Sequence, residues 1–442
     1  MNWWFGTALW KRVLGALVLG VILGTILTQM FGDAEAAALL ETYVKPVGDL
    51  FIRLIRMLIV PLILTTLVAG VVALGDPGRI GTIGLKTIAL YLFTTFFANV
   101  IGIIYGLIFR PGANADLAGA DAVPVDTSAA PAAIDRVLAI VPMNPVAALA
   151  DGDVLAIIFF AILLGVGILM AGKAGKLVGD FFTQASEVVL KVTHIVMEVA
   201  PFGVFALVAY TTADQGLNAL VSIAVLIGTV YLGLLTHAVL VYGGIIRFVL
   251  NLPVMNFFRG ILDAIAVAFS TASSSATLPV TIANVSENLG VKKSVAGSVL
   301  PLGATINMDG TALYLGVLAL FTAQAFGYDL TFMNYVLIAV TAAAVSVGAA
   351  GIPSASLFLL ATVLSTFGVP PEQIAIIVGF ILPVDRIMDM ARTALNVTGD
   401  ATVATAVAKW EGELDEDRFR HPADTPYEPK SPPPDVAGAD RD

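Results

Sequence analysis

Long apolar segments alternate with short polar connections from about residue 10 to residue 409. Most are close to the roughly 20 residues that an α-helix needs to cross a bilayer, and they lack the ten-residue alternation of membrane β-strands. The pattern predicts an all-α polytopic membrane protein. The apolar segments begin near Val13, Leu50, Thr82, Val154, Ser186, Leu217, Ser294, Phe332 and Ile374.

Composition agrees with the segment pattern. The 442 residues are 58% hydrophobic and 13% charged, whereas a soluble domain carries about 25% charged residues. The formal charge is −10, which argues against a nucleic-acid partner, and the absence of cysteine excludes disulfides and thiolate sites. The three histidines are too scattered to suggest a metal site.

The two ends of the chain differ from the middle. A signal peptide is an alternative for residues 1–31, but the apolar run is long and no A-x-A-like site follows it, which favours a retained first span. Residues 411–442 are acidic and proline-rich, so they are predicted to form a disordered tail. Basic residues in alternate connections predict that both termini are cytoplasmic. These residues are Lys11, Arg12, Arg79, Lys86, Lys173 and Lys176.

The last apolar segment, residues 374–409, keeps five charges in its middle, where each costs about 2.5–3.5 kcal/mol to insert. At about 100° per residue, most of its polar side chains fall within roughly an 80° arc. This face is predicted to be functional, with structural ion pairing as the alternative. Arg386 lies off the face and is expected to snorkel or to pair elsewhere. The residues of the arc are Asp385, Asp389, Arg392, Asn396 and Asp400, with Thr393 beside them.

A second polar cluster, GATINMDGTALY, lies inside the apolar run 295–326. Asn307 and Asp309 would point about 200° apart on an unbroken helix. A helix broken near Gly303 and Gly310 would let carbonyl and side-chain oxygens surround a cation. A glycine-kinked helix with Asp309 bonded to a neighbour remains the alternative.

Two short polar stretches, STASSSATLP and GAAGIPSAS, each divide an apolar region into halves too short to span. Each is predicted to be the tip of a re-entrant hairpin whose helix starts offer NH donors to an anion. The order hairpin, broken helix, hairpin, polar helix indicates an inverted repeat with a site at the midplane. Close packing of small residues would also explain the serine run.

Two other classes of function compete with transport. A membrane serine hydrolase would use the serine run with His194 or His237, but no G-x-S-x-G motif surrounds the serines. A channel would also place polar residues in the membrane. Opposite charges at Asp389 and Arg392 suit an occluded solute carrying both signs better than a permeating ion.

The chain resembles the dicarboxylate/amino acid:cation symporters, the glutamate transporter family, over about residues 10–409. The resemblance rests on NMDGT and on D-x-x-x-D-x-x-R-T-x-x-N-V-x-G-D. Supporting motifs are RLIRMLIVPLI, NPVAALADGDVLAII, MEVAPFGVFAL, STASSSATLPVT and GIPSAS.

The resemblance implies eight transmembrane helices plus two re-entrant hairpins, assembled as a homotrimer in a bacterial inner membrane. Within a membrane domain of residues 1–410, a scaffold would occupy about residues 11–75 and 140–212. A transport part, about residues 80–110 and 216–409, would carry a small-molecule substrate across the bilayer like an elevator. The second hairpin would be the extracellular gate.

The resemblance also implies an acidic amino acid, glutamate or aspartate, as substrate. Asp389 would take the ammonium and Arg392 the side-chain carboxylate. A C4-dicarboxylate is the alternative substrate. The implied substrate residues are Ser273, Ser274, Ser275, Thr311, Ile352, Pro353, Ser356, Asp389, Arg392, Thr393 and Asn396.

No cofactor is expected beyond a coupling cation, for which Na⁺ is favoured over H⁺. Na⁺ needs several oxygens, whereas a proton carrier needs only one carboxyl group that can hold a proton. One Na⁺ site would centre on Asp400. A second would join Asp309 and Asn307 to Tyr91, Thr94 and Thr95, and a third would use carbonyls near Thr305, Met308 and Ser346. The implied ligands are Tyr91, Thr94, Thr95, Gly303, Thr305, Asn307, Met308, Asp309, Ser346, Asn396 and Asp400.

The sequence departs from the family pattern at three positions. Ala272 and Met390 stand where archaeal and animal members respectively carry an additional arginine, and Leu315 replaces a glutamate linked to proton cotransport in animal members. The departures leave affinity open and weaken the case for protons.

Overall fold

The computed structural model describes residue 7 and residues 9–73, 81–115, 141–152, 154–215, 218–346 and 355–421. Helices form nearly all of these ranges, and their only β-structure is a single bridge between Val291 and Leu414. The predicted all-α class is therefore confirmed for the described residues. The first half contains α1 (Leu9–Phe31), α2 (Asp33–Tyr43), α3 (Lys45–Ala73), α4 (Gly81–Phe109), α5 (Pro145–Asp151), α6 (Val154–Met170), α7 (Lys176–Met197) and α8 (Ala200–Gln215).

The second half is more interrupted than the first. Helix α9 (Asn218–Thr236) continues through the π-helical turns His237–Tyr242 and Ile245–Val249. The helices that follow are α10 (Val254–Gly260), α11 (Leu262–Thr271), α12 (Ser274–Ala283), α13 (Lys293–Ile306), α14 (Asp309–Phe326), α15 (Phe332–Ser346), α16 (Ala355–Ser365), α17 (Pro371–Trp410) and α18 (Glu416–Arg420).

Four of the described helical stretches are long and apolar enough to cross a membrane, and a fifth is possible if a bent pair counts as one. The bent pair is α10 with α11, at 53°. Large apolar side chains such as Leu85, Phe93 and Leu163 are at least half exposed, as expected for a lipid-facing surface. These features describe a multi-pass membrane protein. The four stretches are Lys11–Phe31, Ile83–Phe109, Val221–Val249 and Lys293–Phe326.

Helix packing surrounds α17 with the elements of the second half. Helices α11, α13 and α14 pack on α17, and α4 packs along α14. In the first half, α8 packs along α1 and α3, and α3 also packs on α6 and α7. The division into a scaffold and a transport part stays a prediction. The two halves of the broken helix, α13 and α14, both pack on the polar helix α17.

The segment after α17 differs from the sequence-based expectation of disorder beginning at residue 411. Residues 411–421 fold back on the body, and Phe419 is fully buried among apolar side chains. Asp415 N donates to Gly290 O at 2.9 Å, and Lys86 Nζ lies 2.7 Å from Glu411 Oε1. The composition of the segment hid this because its two apolar side chains, Leu414 and Phe419, are enough to dock it. Residues 422–442 lie outside the described residues.

Candidate substrate and cation sites

A break separates α13 from α14 in the middle of the predicted polar cluster. Asn307 and Met308 leave helical geometry, with φ/ψ of −85°/84° and −114°/50°. The prediction of a broken helix is confirmed, but the break does not fall on the glycines. Gly303 instead allows close approach, because a Cβ there would overlap the Asp400 carboxylate and the Tyr91 hydroxyl.

The predicted polar face of α17 is buried inside the protein. Its side chains project together because their spacing follows the helical repeat. None of them is more than 5% exposed, so each charge needs a partner inside the protein. The buried residues are Asp385, Asp389, Arg392, Thr393, Asn396 and Asp400.

The first buried group, which we call the four-charge cluster, consists of Asp385, Arg386, Asp389 and Arg392. Arg392 Nη2 donates to Asp389 Oδ1 at 2.6 Å, and Nη1 lies 3.4 Å from Asp385 Oδ1. Tyr314 supports this arrangement in two ways. Its hydroxyl donates to Asp385 Oδ1 at 2.6 Å, and the Arg392 guanidinium lies 4.2 Å from its ring centre. The cluster holds two anions and two cations, so it is formally neutral.

The second buried group, which we call the two-carboxylate cluster, centres on Asp309 and Asp400. Thr95 and Tyr242 donate their hydroxyls to the two oxygens of Asp309, at 2.6 and 2.7 Å. Asn307 Nδ2 donates to Asp400 Oδ1 at 2.9 Å. Among the described residues, no lysine or arginine is recorded in an ion pair or hydrogen bond with either carboxylate.

Within the described part of the chain, His237 is the only basic side chain that contacts this second group. Its Nε2 lies 3.4 Å from Asp309 Oδ2, and its ring meets that of Tyr242 edge to face at 4.6 Å. Neither ring nitrogen has a hydrogen-bond partner. His237 is fully buried inside the helix bundle. It stands beside a candidate cation ligand and not in a hydrolase site.

Asn396 lies between Arg392 and Asp400 in the sequence of α17 and contacts the break. Its Oδ1 accepts from Gly310 N at 2.8 Å, and its Nδ2 lies 3.2 Å from Met308 Sδ. Its backbone carbonyl accepts from Asn307 Nδ2 at 3.3 Å. Asn396 therefore bonds both residues of the break and fixes the start of α14, where the backbone has lost its helical partners.

The first serine-rich tip is a tight turn between α11 and α12. Ser273 caps α12 by accepting from Ala276 N at 3.2 Å, Ser274 is buried, and Ser275 is exposed. Each of the two helices has ten residues, which is too short to span a bilayer. Arg386 Nη2 donates to Thr271 O at 3.1 Å, so the turn lies against α17.

The structure places the other predicted residues as follows. Thr311 is buried in the first turn of α14, and Ser356 is buried near the start of α16. Ser346 is buried at the end of α15, and its hydroxyl donates to Ala343 O. Thr305 is half-buried, and its hydroxyl donates to Leu302 O. Ile352 and Pro353 lie outside the described residues.

Two of the predicted ligands from α4 are placed differently from expectation. The Tyr91 hydroxyl donates to Val299 O at 3.1 Å and lies next to Gly303, on the Asp400 side instead of at Asp309. The Thr94 hydroxyl donates to Tyr91 O at 3.1 Å. Only Thr95 of this group bonds Asp309 directly, because one face of α4 presents one side chain per turn to the break.

Sequence reasoning did not identify Tyr242 and Tyr314 as partners of the buried carboxylates. Both tyrosines lie in apolar runs, where they look like packing residues. Each nevertheless donates its hydroxyl to an aspartate about 70 residues away in sequence. For Tyr314 the one signal is a segment that also holds Asp309, whereas the segment of Tyr242 holds no carboxylate and gives no such signal.

Comparison with known proteins gives a consistent assignment. The sodium:dicarboxylate symporter family matches residues 9–410. The proton/sodium-glutamate symport protein of Bacillus subtilis is 37% identical, over 92% of this chain and 93% of the relative. The proton/glutamate-aspartate symporter of Escherichia coli is 38% identical over 91% and 93%. The C4-dicarboxylate transport protein of Rhodospirillum rubrum is 37% identical over 94% and 91%.

The matched family consists of symporters and not of enzymes, which agrees with the polar break and the buried charges described above. A hydrolase is thereby excluded. The chain belongs to the sodium:dicarboxylate symporter family.

Proposed function

We propose that the protein takes up an acidic amino acid, glutamate or aspartate, together with Na⁺. The observation that carries the substrate assignment is the buried 2.6 Å contact between Arg392 and Asp389. An anion and a guanidinium side by side can exchange partners with a ligand that has both an ammonium and a carboxylate. Asp389 would take the ammonium, and Arg392 would turn to the side-chain carboxylate.

The remaining carboxylate of the substrate would lie near the first hairpin tip. The α12 start offers unpaired backbone NH groups and the positive end of a helix dipole. Ser274 and Asn396 would add side-chain donors, and Thr311 would assist Arg392. Thr393, Ser273, Ser275 and the second tip, with Ile352, Pro353 and Ser356, would complete the site.

A C4-dicarboxylate is the second candidate substrate, because relatives 37% and 35% identical carry the name C4-dicarboxylate transport protein. Such a ligand has no ammonium, so Asp389 would face a carboxylate instead of a cation. Two carboxylates facing each other in a buried site repel, and this repulsion opposes binding. The presence of Asp389 beside Arg392 therefore favours the amino acid.

Na⁺ is proposed as the coupling ion because the two-carboxylate cluster holds buried anions among neutral oxygens. Carboxylate, amide and hydroxyl oxygens are ligands suited to a hard cation. Asp400 with Asn307, Asn396 and the Gly303 carbonyl would form one site, with Tyr91 beside it. Asp309 with Thr95 would form another, and the carbonyls of Thr94, Thr305, Met308 and Ser346 would contribute further ligands. Several relatives are named proton/sodium or proton symporters. Protons are therefore the alternative coupling ion, which the uptake experiment below tests.

The remaining architecture is also part of the proposal. We infer eight spans with two re-entrant hairpins, a homotrimer, elevator-like movement, and a bacterial inner membrane with both termini in the cytoplasm. Support comes from the short paired helices α11 and α12, from the broken α13 and α14, and from the similarity to bacterial symporters. Helix α17 would span despite its charges because they face the protein interior.

Uptake by proteoliposomes with Na⁺ and H⁺ gradients imposed separately tests the proposal. Labelled glutamate and aspartate should accumulate with an inward Na⁺ gradient and fail to accumulate without Na⁺. Full uptake in Na⁺-free medium with an inward proton gradient would overturn Na⁺ coupling. Unlabelled succinate that competes with higher affinity than either amino acid would overturn the substrate assignment.

A further inference from the structure

Arg386 is a member of the four-charge cluster to which the proposed mechanism gives no role. Its side chain is 12% exposed and lies off the polar face of α17. Nη2 donates to Thr271 O, while Nε and Nη1 are buried and have no hydrogen-bond partner among the described residues. A guanidinium held in this way has given up most of its hydration, so its position needs an explanation beyond snorkelling.

The Arg386 contact falls on one of two opposite helix ends at the first tip. Helix α11 ends at Thr271, where unpaired carbonyls form the negative end of the helix dipole. Helix α12 begins three residues later, at Ser274, and presents the positive end of its dipole there. Arg386 therefore bonds the carboxyl end of α11, which would repel an anion. The amino end of α12, which attracts an anion, stays available.

The other contact of Arg386 is with Asp389, at 3.7 Å between Nη1 and Oδ2. Arg392 bonds the opposite oxygen, Oδ1, of the same carboxylate. Asp389 thus lies between two guanidiniums, of which one is fixed to a hairpin turn and the other belongs to the proposed exchange with substrate. When Arg392 turns to the substrate, Arg386 still holds Asp389 from the other side.

We propose that Arg386 is a positioning residue of the substrate site that fastens the α11–α12 turn to α17 and keeps Asp389 aligned for the ammonium. The inference rests on the proposed function for its second part only. The fastening of the turn is a property of the protein without substrate. Arg386→Lys would keep the positive charge, but its single ammonium group could not reach both the Thr271 carbonyl and the Asp389 carboxylate. Comparing this variant with Arg386→Ala therefore separates the effect of the charge from the effect of bridging the two partners.

The fastening can be tested on the full chain because it contains no cysteine. A single Ala276→Cys substitution, at an exposed position on α12, reports the tip by its rate of labelling with a hydrophilic maleimide. Arg386→Ala should raise this rate several-fold, and Arg386→Lys should raise it less. Glu287→Cys, exposed beyond α12, is the control for general loosening and should label at an unchanged rate. An unchanged rate at position 276 would overturn the fastening.

Transport kinetics test the alignment of Asp389. Arg386→Ala should raise KM for glutamate and aspartate about tenfold, the size of one charge-assisted contact, with kcat within about twofold. Arg386→Lys should recover part of the loss. Arg247→Ala removes one exposed positive charge elsewhere and should leave KM unchanged. A KM unchanged in Arg386→Ala would overturn the positioning role. A wild-type chain that takes up neither amino acid would overturn the proposed function instead, and the labelling rates would still decide the fastening.

Discussion

Both buried clusters take residues from α17, and Asp309 of the second comes from α14, yet the charges of the two clusters are compensated in opposite ways. The four-charge cluster pairs Asp385 and Asp389 with two arginines. The two-carboxylate cluster surrounds Asp309 and Asp400 with hydroxyls and an amide. Burying an unpaired carboxylate costs several kcal/mol, so the second cluster gains most from a cation supplied from outside. The four-charge cluster is already neutral. It suits a ligand whose own charges can replace the partners within the Asp389–Arg392 pair.

Under the proposed function, the first cluster would recognise the substrate and the second would bind the coupling ion. A neutral, ion-paired cluster is selective because a ligand must replace each bond it breaks. An uncompensated anionic cluster binds small cations with little regard to the organic substrate. Asn396 lies between Arg392 and Asp400 on α17 and bonds both sides of the break.

The largest effect is expected from breaking the internal pair of the first cluster. Arg392→Ala should leave two carboxylates without their main partner, a loss of about 3–5 kcal/mol for a buried pair, and should abolish uptake of acidic substrates. Arg392→Cys should do the same and allow neutral amino acids to compete. Uptake kinetics with purified, monodisperse protein measure the loss. Retention of wild-type KM for glutamate in either variant would contradict the role of Arg392.

The next largest effect is expected from reducing the charge of the second cluster. Asp400→Asn should raise the Na⁺ concentration for half-maximal uptake by about tenfold or more, because one formal charge leaves the proposed site. Recognition of glutamate at saturating Na⁺ should change less. Asp385→Asn is the matched variant in the first cluster, and its main effect should be on substrate KM. The same shift in Na⁺ dependence in both variants would end the distinction between the clusters.

A smaller, paired test removes one hydroxyl from each cluster. Tyr242→Phe deletes the donor to Asp309, and Tyr314→Phe deletes the donor to Asp385. Hydrogen bonds to charged groups contribute about 1.5–3 kcal/mol, so each variant should lose roughly tenfold in one affinity. Tyr242→Phe should weaken Na⁺ dependence, whereas Tyr314→Phe should weaken glutamate affinity. Isothermal titration calorimetry with each ligand measures the Na⁺ and glutamate affinities separately. A loss of glutamate affinity in Tyr242→Phe and of Na⁺ affinity in Tyr314→Phe would contradict the proposed assignment.

Local periodicity accounts for what the sequence predicted well. The polar face of α17 follows from spacings of three and four residues, and the break at Asn307 follows from the conflict between its direction and that of Asp309. Contacts over long sequence separations leave no such trace. Arg386 was expected to pair elsewhere, but nothing local indicates a carbonyl 115 residues earlier. The tail was predicted from average composition, which cannot weigh one buried phenylalanine against many charges.

The docked segment 411–421 affects how the protein is made. It contacts Lys86 at the start of α4, Asn256 in α10, and the backbone at Gly290 after α12. These partners precede it in the chain, so they are synthesised and inserted before it exists. During synthesis the apolar cleft that later receives Phe419 stays open until the last of these residues has left the ribosome. The apolar surface around Phe419 is therefore covered only after residues 411–421 have docked.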